Sequence, residues 1–192
     1  MGDRLAARFV SLLFQPAVTF TVLLGALVAA HPHALEPASV VWGFLAALPA
    51  ATLIVGMRLG VWSDLEVTDP RERRTYVPAC ALYALAAAGW CWAVHAPAEL
   101  RLVATAVALW LTASTAVSLG WKISLHEGAT VGVLLLAAEL FGRGWLLALA
   151  WAPFAVAWAR LRLDRHTPAQ LAAGALSALL SVALAVRLVP LS

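Results

Sequence analysis

Charge is what this sequence has least of. Asp, Glu, Lys and Arg make up 12% of its 192 residues, where a soluble domain carries about 25%, and the mean hydropathy is +0.88. An ordinary water-soluble fold is excluded, and the chain reads as an integral membrane protein. Lysine occurs once, at Lys122. The two cysteines, Cys80 and Cys91, fall in one apolar run and read as buried thiols rather than a disulfide. No Gly-rich phosphate loop is present, so a nucleotide-cradling mechanism has no support. No His, Cys and carboxylate residues stand at metal-ligand spacing. Nothing calls for a metal, a cofactor or a nucleic-acid partner. No internal repeat, low-complexity tract or heptad pattern is visible, and 192 residues suffice for a single membrane domain over 1–192.

What is there is a series of apolar runs, at 9–30, 39–59, 76–94, 102–121, 128–141, 145–158 and 168–189. A span needs about 20 apolar residues, so the expectation is an all-α, polytopic transmembrane bundle of seven spans, or six if the first lies along the interface. The first run is too long for a signal-peptide core and is expected to be retained, with Pro16 placed to kink it. The fifth and sixth runs are short and must borrow flanking residues. His31 and His33 read as exposed residues of a turn over 31–37. Glu139 lies inside the short fifth run, where an ionisable group calls for a buried partner.

Three polar stretches interrupt the apolar pattern, at 60–75, 121–127 and 160–167. Two spans separate each from the next, so all three are expected on one side of the membrane. Each carries a helix-start signature: Asp69-Pro70 with Glu72, Ser124 with Glu127, and Thr167-Pro168 with Gln170. An N-cap residue followed three positions later by Glu or Gln fits a capping box. Helix N-termini offer free backbone N–H groups and partial positive charge, which suits an anion. With Arg71, Arg73, Arg74, Lys122, Arg160, Arg162 and Arg165 around them, the three ends read as a phosphate site.

These residues resemble a known family. Lys122-Ile123-Ser124-Leu125-His126 is similar to the second motif, Pro-Ser-Gly-His, of the type 2 phosphatidic acid phosphatase superfamily. Arg160, five residues and His166 resemble its third motif, Ser-Arg-x5-His-x3-Asp, and 167–174 resemble the continuation in bacterial members. The resemblance covers roughly 60–175. Residues 64–74 fall where the first motif, a Lys followed later by Arg-Pro, belongs. The departures are specific: no Lys precedes the first-loop arginines, Thr75 follows Arg74, and Leu125, Ala159 and Gln170 replace the motif Gly, Ser and Asp.

The resemblance implies a metal-independent lipid phosphatase acting on a phosphomonoester or diphosphate, with a polyprenyl-linked phosphate favoured by these departures. It implies that His166 attacks phosphorus to form phosphohistidine. His126 would protonate the departing alkoxide and then activate water. Arg160, Ser124 and one or both of Arg73 and Arg74 would hold the phosphoryl oxygens, and Lys122 would supply the charge of the absent motif Lys. Asp64 and Glu66 either pair with the arginines or replace the missing Asp behind His166. Arg162 and Arg165 read as topological anchors.

Two other classes remain. One is a headgroup-binding protein that keeps the fold without catalysis. The other is a membrane-embedded prenyltransferase, suggested by Asp64 and Asp69, although the second half of the chain has no partner Asp cluster. The partners expected are a lipid phosphate and membrane lipids; oligomeric state is not legible. Basic residues crowd the side that holds the polar loops, including Arg4 and Arg8. The positive-inside rule then predicts a multi-pass inner-membrane protein with its site facing the cytoplasm.

Overall fold

The computed structural model describes residues 2–191, whose regular structure is helical with no strand among them. Helix α1 (Gly2–Leu13) and α2 (Pro16–Ala30) meet at a 51° bend, where Pro16 opens the second helix. The expected first span is therefore broken in two. α3 covers Pro32–Arg58; it opens with a 3-10 turn at Pro32–Ala34 and contains a π-helical turn at Gly43–Ala47. The expected turn over 31–37 shrinks to His31, because Pro32 fits the first helical position. α4 (Pro70–Ala93), α5 (Ala98–Ser118), α6 (Leu125–Phe141), α7 (Gly144–Arg162) and α8 (Pro168–Leu188) complete the chain.

Five helices are long and apolar enough to cross a membrane, and the bent α1–α2 pair makes a sixth if it counts as one span. The expectation of six to seven is thus trimmed. The 17 residues of α6 reach only about 25 Å at 1.5 Å each, short of a hydrocarbon core of about 30 Å. α6 sits among α2, α5 and α8, and Gly142 ends it at φ 103, a conformation open to glycine.

Packing is dominated by small side chains. On α4 the buried stripe runs Val77, Cys80, Ala81, Ala84, Ala87 and Cys91, facing Leu100, Val103, Ala104 and Val107 of α5. Small residues let helices approach closely where lipid supplies no hydrophobic drive. Both cysteines are free and buried, as expected. The perimeter is apolar: Leu82 is 66% exposed, Phe154 77% and Leu147 86%, which fits a surface bathed in acyl chains rather than water. Glu139 is exposed on α6 and not buried against a partner. It lies three residues before Gly142, near the helix end, so the expected buried partner is corrected.

Candidate active site

Arg73 continues the buried stripe of α4. It lies four residues, about one turn, before Val77 and is 4% exposed, while Arg74 is rotated about 100° away and is exposed. Only one of the two arginines expected in the site therefore enters it. The helix starts at Pro70, as the Asp69-Pro70 signature predicted and six residues before the apolar run begins, because Asp69 caps it by accepting from the Arg71 amide at 2.7 Å. Arg73 Nη2 donates to the Ile123 carbonyl at 2.7 Å, and Nε has no partner. Arg73 has no carboxylate partner among the described residues.

The Ile123 carbonyl belongs to the second polar loop. Ser124 caps α6 by accepting from the Glu127 amide at 3.3 Å, and its own amide donates to the Gln170 carbonyl at 3.2 Å. Its hydroxyl proton remains available to a ligand. Gly174 permits this junction, since a Cβ there would overlap the Ser124 carbonyl oxygen. His126 follows in the first turn of α6, buried, with Nε2 unpartnered. Lys122 is half-buried just before it.

Arg160 continues the stripe of α7, after Ala152, Val156 and Ala159, and is 2% exposed. Its Nε donates to His166 Nδ1 at 3.3 Å. Its Nη1 donates to Ser11 Oγ at 2.7 Å and lies 3.0 Å from Glu66 Oε1. Ser11 in turn donates to Glu66 at 2.8 Å. Arg165 approaches the other Glu66 oxygen at 3.4 Å and donates to Thr68 Oγ1 at 3.0 Å. Glu66 thus pairs with the arginines, and does not stand behind His166. Asp64 accepts from the Glu66 amide and from Thr68, fixing a tight turn in which Val67 adopts φ 46. A β-branched residue in the left-handed region is strained, so this turn is held by its surroundings. Arg165, expected as an anchor, has a structural task; Arg162 reaches only Asp3, at 3.7 Å on the exposed surface.

The three polar loops therefore converge. Only the third helix start forms the full capping box: Thr167 N donates to Gln170 Oε1 at 3.1 Å and Gln170 N to Thr167 Oγ1 at 3.4 Å. Glu72 turns away to the Ser63 amide, and Glu127 Oε2 is buried without a partner. Because Gln170 is used in its cap, it does not orient His166 as the motif Asp would. His166 Nε2 is buried and unpartnered.

Electrostatics follow from this packing. Burial, then the charges of Arg160, Lys122 and Arg73 and the neighbouring His126, push the His166 imidazole far below its ordinary pKa. It is neutral at physiological pH. Burial first, then Arg73, Arg160 and Arg165, lower the Lys122 ammonium against the opposing pull of Asp64. The imidazole whose Nδ1 accepts from Arg160 carries its proton on Nε2.

Beside this polar cluster lies an apolar cavity of about 240 Å3, walled by α2, α3, α4 and α5, with Glu66, Arg73, Tyr76, Cys80 and His126 its charged or titratable lining residues. Sequence reasoning missed Ser11. The signal was there: a hydroxyl four residues after buried Ala7, opposite the exposed Leu5, Phe9 and Leu12.

No family model, curated protein or solved structure matches the chain.

Proposed function

We propose that the protein is a membrane-embedded phosphatase of lipid phosphates, acting without a metal. The observation that carries this reading is Arg73. A guanidinium this deeply buried costs several kcal/mol unless an anion meets it. It lines a cavity that is also lined by His126, whose Nε2 has no partner. A phosphoryl group is the anion for which an Arg, a helix N-terminus and two histidines are jointly suited.

In the proposed reaction the phosphoryl oxygens are held by Arg73, Arg160, Lys122 and the Ser124 hydroxyl. The His166 Nε2 lone pair attacks phosphorus, the bond to the lipid oxygen breaks, and His126, which takes up a proton as the anionic phosphate enters, gives that oxygen its proton. Water, activated by His126, then cleaves the phosphohistidine, releasing phosphate. Two rearrangements precede attack. Arg160 exchanges His166 Nδ1 and Glu66 for phosphoryl oxygens, and the His166 ring proton moves from Nε2 to Nδ1. The polar loops face the cytoplasm on the positive-inside count.

A second reading, a headgroup-binding protein without turnover, is favoured by the hydrogen bond from Arg160 to Nδ1, which leaves the proton on the would-be nucleophilic nitrogen. Prenyltransfer is disfavoured because Asp64 is committed to its turn and Asp69 to its cap. Purified protein in EDTA is to be tested for phosphate release from prenyl monophosphates, prenyl diphosphates, prenyl-phospho-sugars and phosphatidic acid. Catalysis predicts release, labelling by substrate as acid-labile phosphate, and no label on His166→Ala. His126→Ala should recover phosphorylation with a substrate whose leaving group needs no proton. Phosphate binding without release from any substrate would establish the second reading, and undiminished hydrolysis by His166→Ala would end the proposed mechanism.

A further inference from the structure

The cavity beside Arg73 is open at one end to polar chemistry and closed along its length by apolar side chains. Phe20 of α2, Leu45 and Leu53 of α3, Val77 of α4 and Leu111 of α5 form its walls. Ile54 also lines it and is 47% exposed on the apolar perimeter, so the cavity reaches the lipid-facing surface. The π-helical turn at Gly43–Ala47 places Phe44 and Leu45 in this wall. Such turns insert one extra residue into a helix and recur where a ligand must be accommodated.

We infer that this cavity binds the phosphate-proximal segment of one apolar chain, so that the ligand is a single-chain prenyl or alkyl phosphate and not a diacyl phospholipid. The inference rests on the phosphate reading of Arg73, but not on turnover. Two polar groups more than nine-tenths buried, Arg73 with Nε unpartnered and His126 with Nε2 unpartnered, line the cavity. An anionic group held there projects its substituent along the apolar walls. At about 30 Å3 per water-sized group, a volume of about 240 Å3 holds about eight carbons, between one and two isoprene units. A second chain from the same headgroup would have to share that volume with the first. Anything longer leaves past Ile54 into the bilayer, so total chain length is not limited.

Transfer of a chain from lipid to this cavity gains no hydrophobic energy, because lipid tails are equally apolar. Selectivity therefore comes from width, and width is what the test addresses. Purified protein in detergent is titrated with radiolabelled farnesyl phosphonate, competed by dodecylphosphonate and by dipalmitoyl phosphatidic acid at equal mole fraction in the micelle. The single-chain competitor is expected to displace the probe at least tenfold more effectively than the diacyl one. Leu53→Trp, which fills the cavity, is expected to lower the preference for farnesyl over methyl phosphonate at least tenfold. Should that variant not fold, Leu53→Ala widens the same wall and is expected to narrow the gap between single-chain and diacyl competitors. Equal competition by the two lipids on wild-type protein overturns the inference. So does a folded Leu53→Trp that keeps the wild-type preference, or no binding of farnesyl phosphonate at all. Tight single-chain binding with no phosphate released from any substrate upholds this inference while ending the phosphatase reading.

Discussion

Replacing Arg73 by Met should make the ligand-free protein more stable and the proposed phosphate site useless. In the wild type the guanidinium is 4% exposed, has no carboxylate partner among the described residues, and recovers one bond, to the Ile123 carbonyl at 2.7 Å. Burying such a charge costs several kcal/mol. A hydrogen bond from a charged donor returns about 1.5–3 kcal/mol. Met has a similar reach without the charge, so the difference is removed, less the cost of leaving the Ile123 carbonyl unpaired. Substituting well-packed apolar residues for buried charges has stabilised proteins by about 1–4 kcal/mol, and a 192-residue chain gains about 2–4 °C per kcal/mol.

The functional loss runs the other way. Removing one preorganised donor from an oxyanion costs about 2.7–4 kcal/mol, a factor of about 10²–10³. Thermal unfolding of the purified protein, with and without inorganic phosphate, reads both effects. For the wild type, phosphate at 100 times its dissociation constant should add about 2.7 kcal/mol of stability, and Arg73→Met should show a higher midpoint without phosphate and no phosphate-dependent rise. A variant that is less stable without phosphate and still responds to it would refute the reasoning. The Ile123 carbonyl would then be sufficient company for the guanidinium, and the charge would be structural.

Other outcomes follow from the same geometry. Arg74→Ala should leave phosphate binding unchanged, whereas Arg73→Lys should restore only part of what Arg73→Ala loses, because an ammonium lacks the planar fork; equal losses at 73 and 74 would contradict the helix register. Gly174→Ala should destabilise by about 1–3 kcal/mol and weaken phosphate binding, since its methyl would overlap the Ser124 carbonyl; a neutral effect in unfolding and binding assays would show that α8 can shift freely. The His166 pKa is depressed in the folded state, so between about pH 6.5 and the depressed value the unfolded chain binds a proton that the native state does not. Stability contributed above pH 6.5 is then lost on acidification, at up to about 1.4 kcal/mol per pH unit, and His166→Asn should reduce the slope measured between pH 6.5 and 5. With Cys80 and Cys91 replaced by Ser, Val61→Cys should resist a membrane-impermeant thiol reagent in intact cells and react after lysis, and labelling in intact cells would place the polar loops outside.

The helices were legible because the apolar runs are long, and three of their starts were legible in the cap residues Asp69, Ser124 and Thr167, which lie outside those runs. Hydropathy starts the third run at Tyr76, yet Asp69 and Pro70 start α4 six residues earlier. That shift is what brings Arg73 onto the buried stripe. Extending the spacing of Val77, Ala81 and Ala84 backwards would have separated Arg73 from Arg74 without a structure. The same extension along Ala152 and Val156 leads to Arg160. Glu139 misled because the short run around it suggested burial on every side, whereas the 17-residue α6 exposes that position near its end.

The polar cluster was legible in its two histidines, its Arg-x5-His spacing, its Ser cap, Arg73 and Lys122, with Glu66 pairing to the arginines one of two alternatives. What closes it comes from far along the chain. Ser11 precedes Arg160 by 149 positions, and no local pattern links a hydroxyl in an apolar N-terminal helix to an arginine at the end of α7. Glu66 is separated from the same arginine by a strained turn whose outcome depends on Val67 accepting φ 46. The consequence for chemistry is specific. With Gln170 locked in its cap, the only hydrogen-bond partner of His166 Nδ1 among the described residues is a cation that donates to it. A motif Asp would accept from Nδ1 and leave the Nε2 lone pair free; Arg160 does the reverse. An incoming phosphate is the one species in the proposed reaction able to draw Arg160 away, by offering it a stronger bidentate partner than an imidazole nitrogen. On the phosphatase reading, the nucleophile is therefore armed by its own substrate, and the slow step lies in exchanging Arg160 between Glu66, His166 and the phosphoryl oxygens.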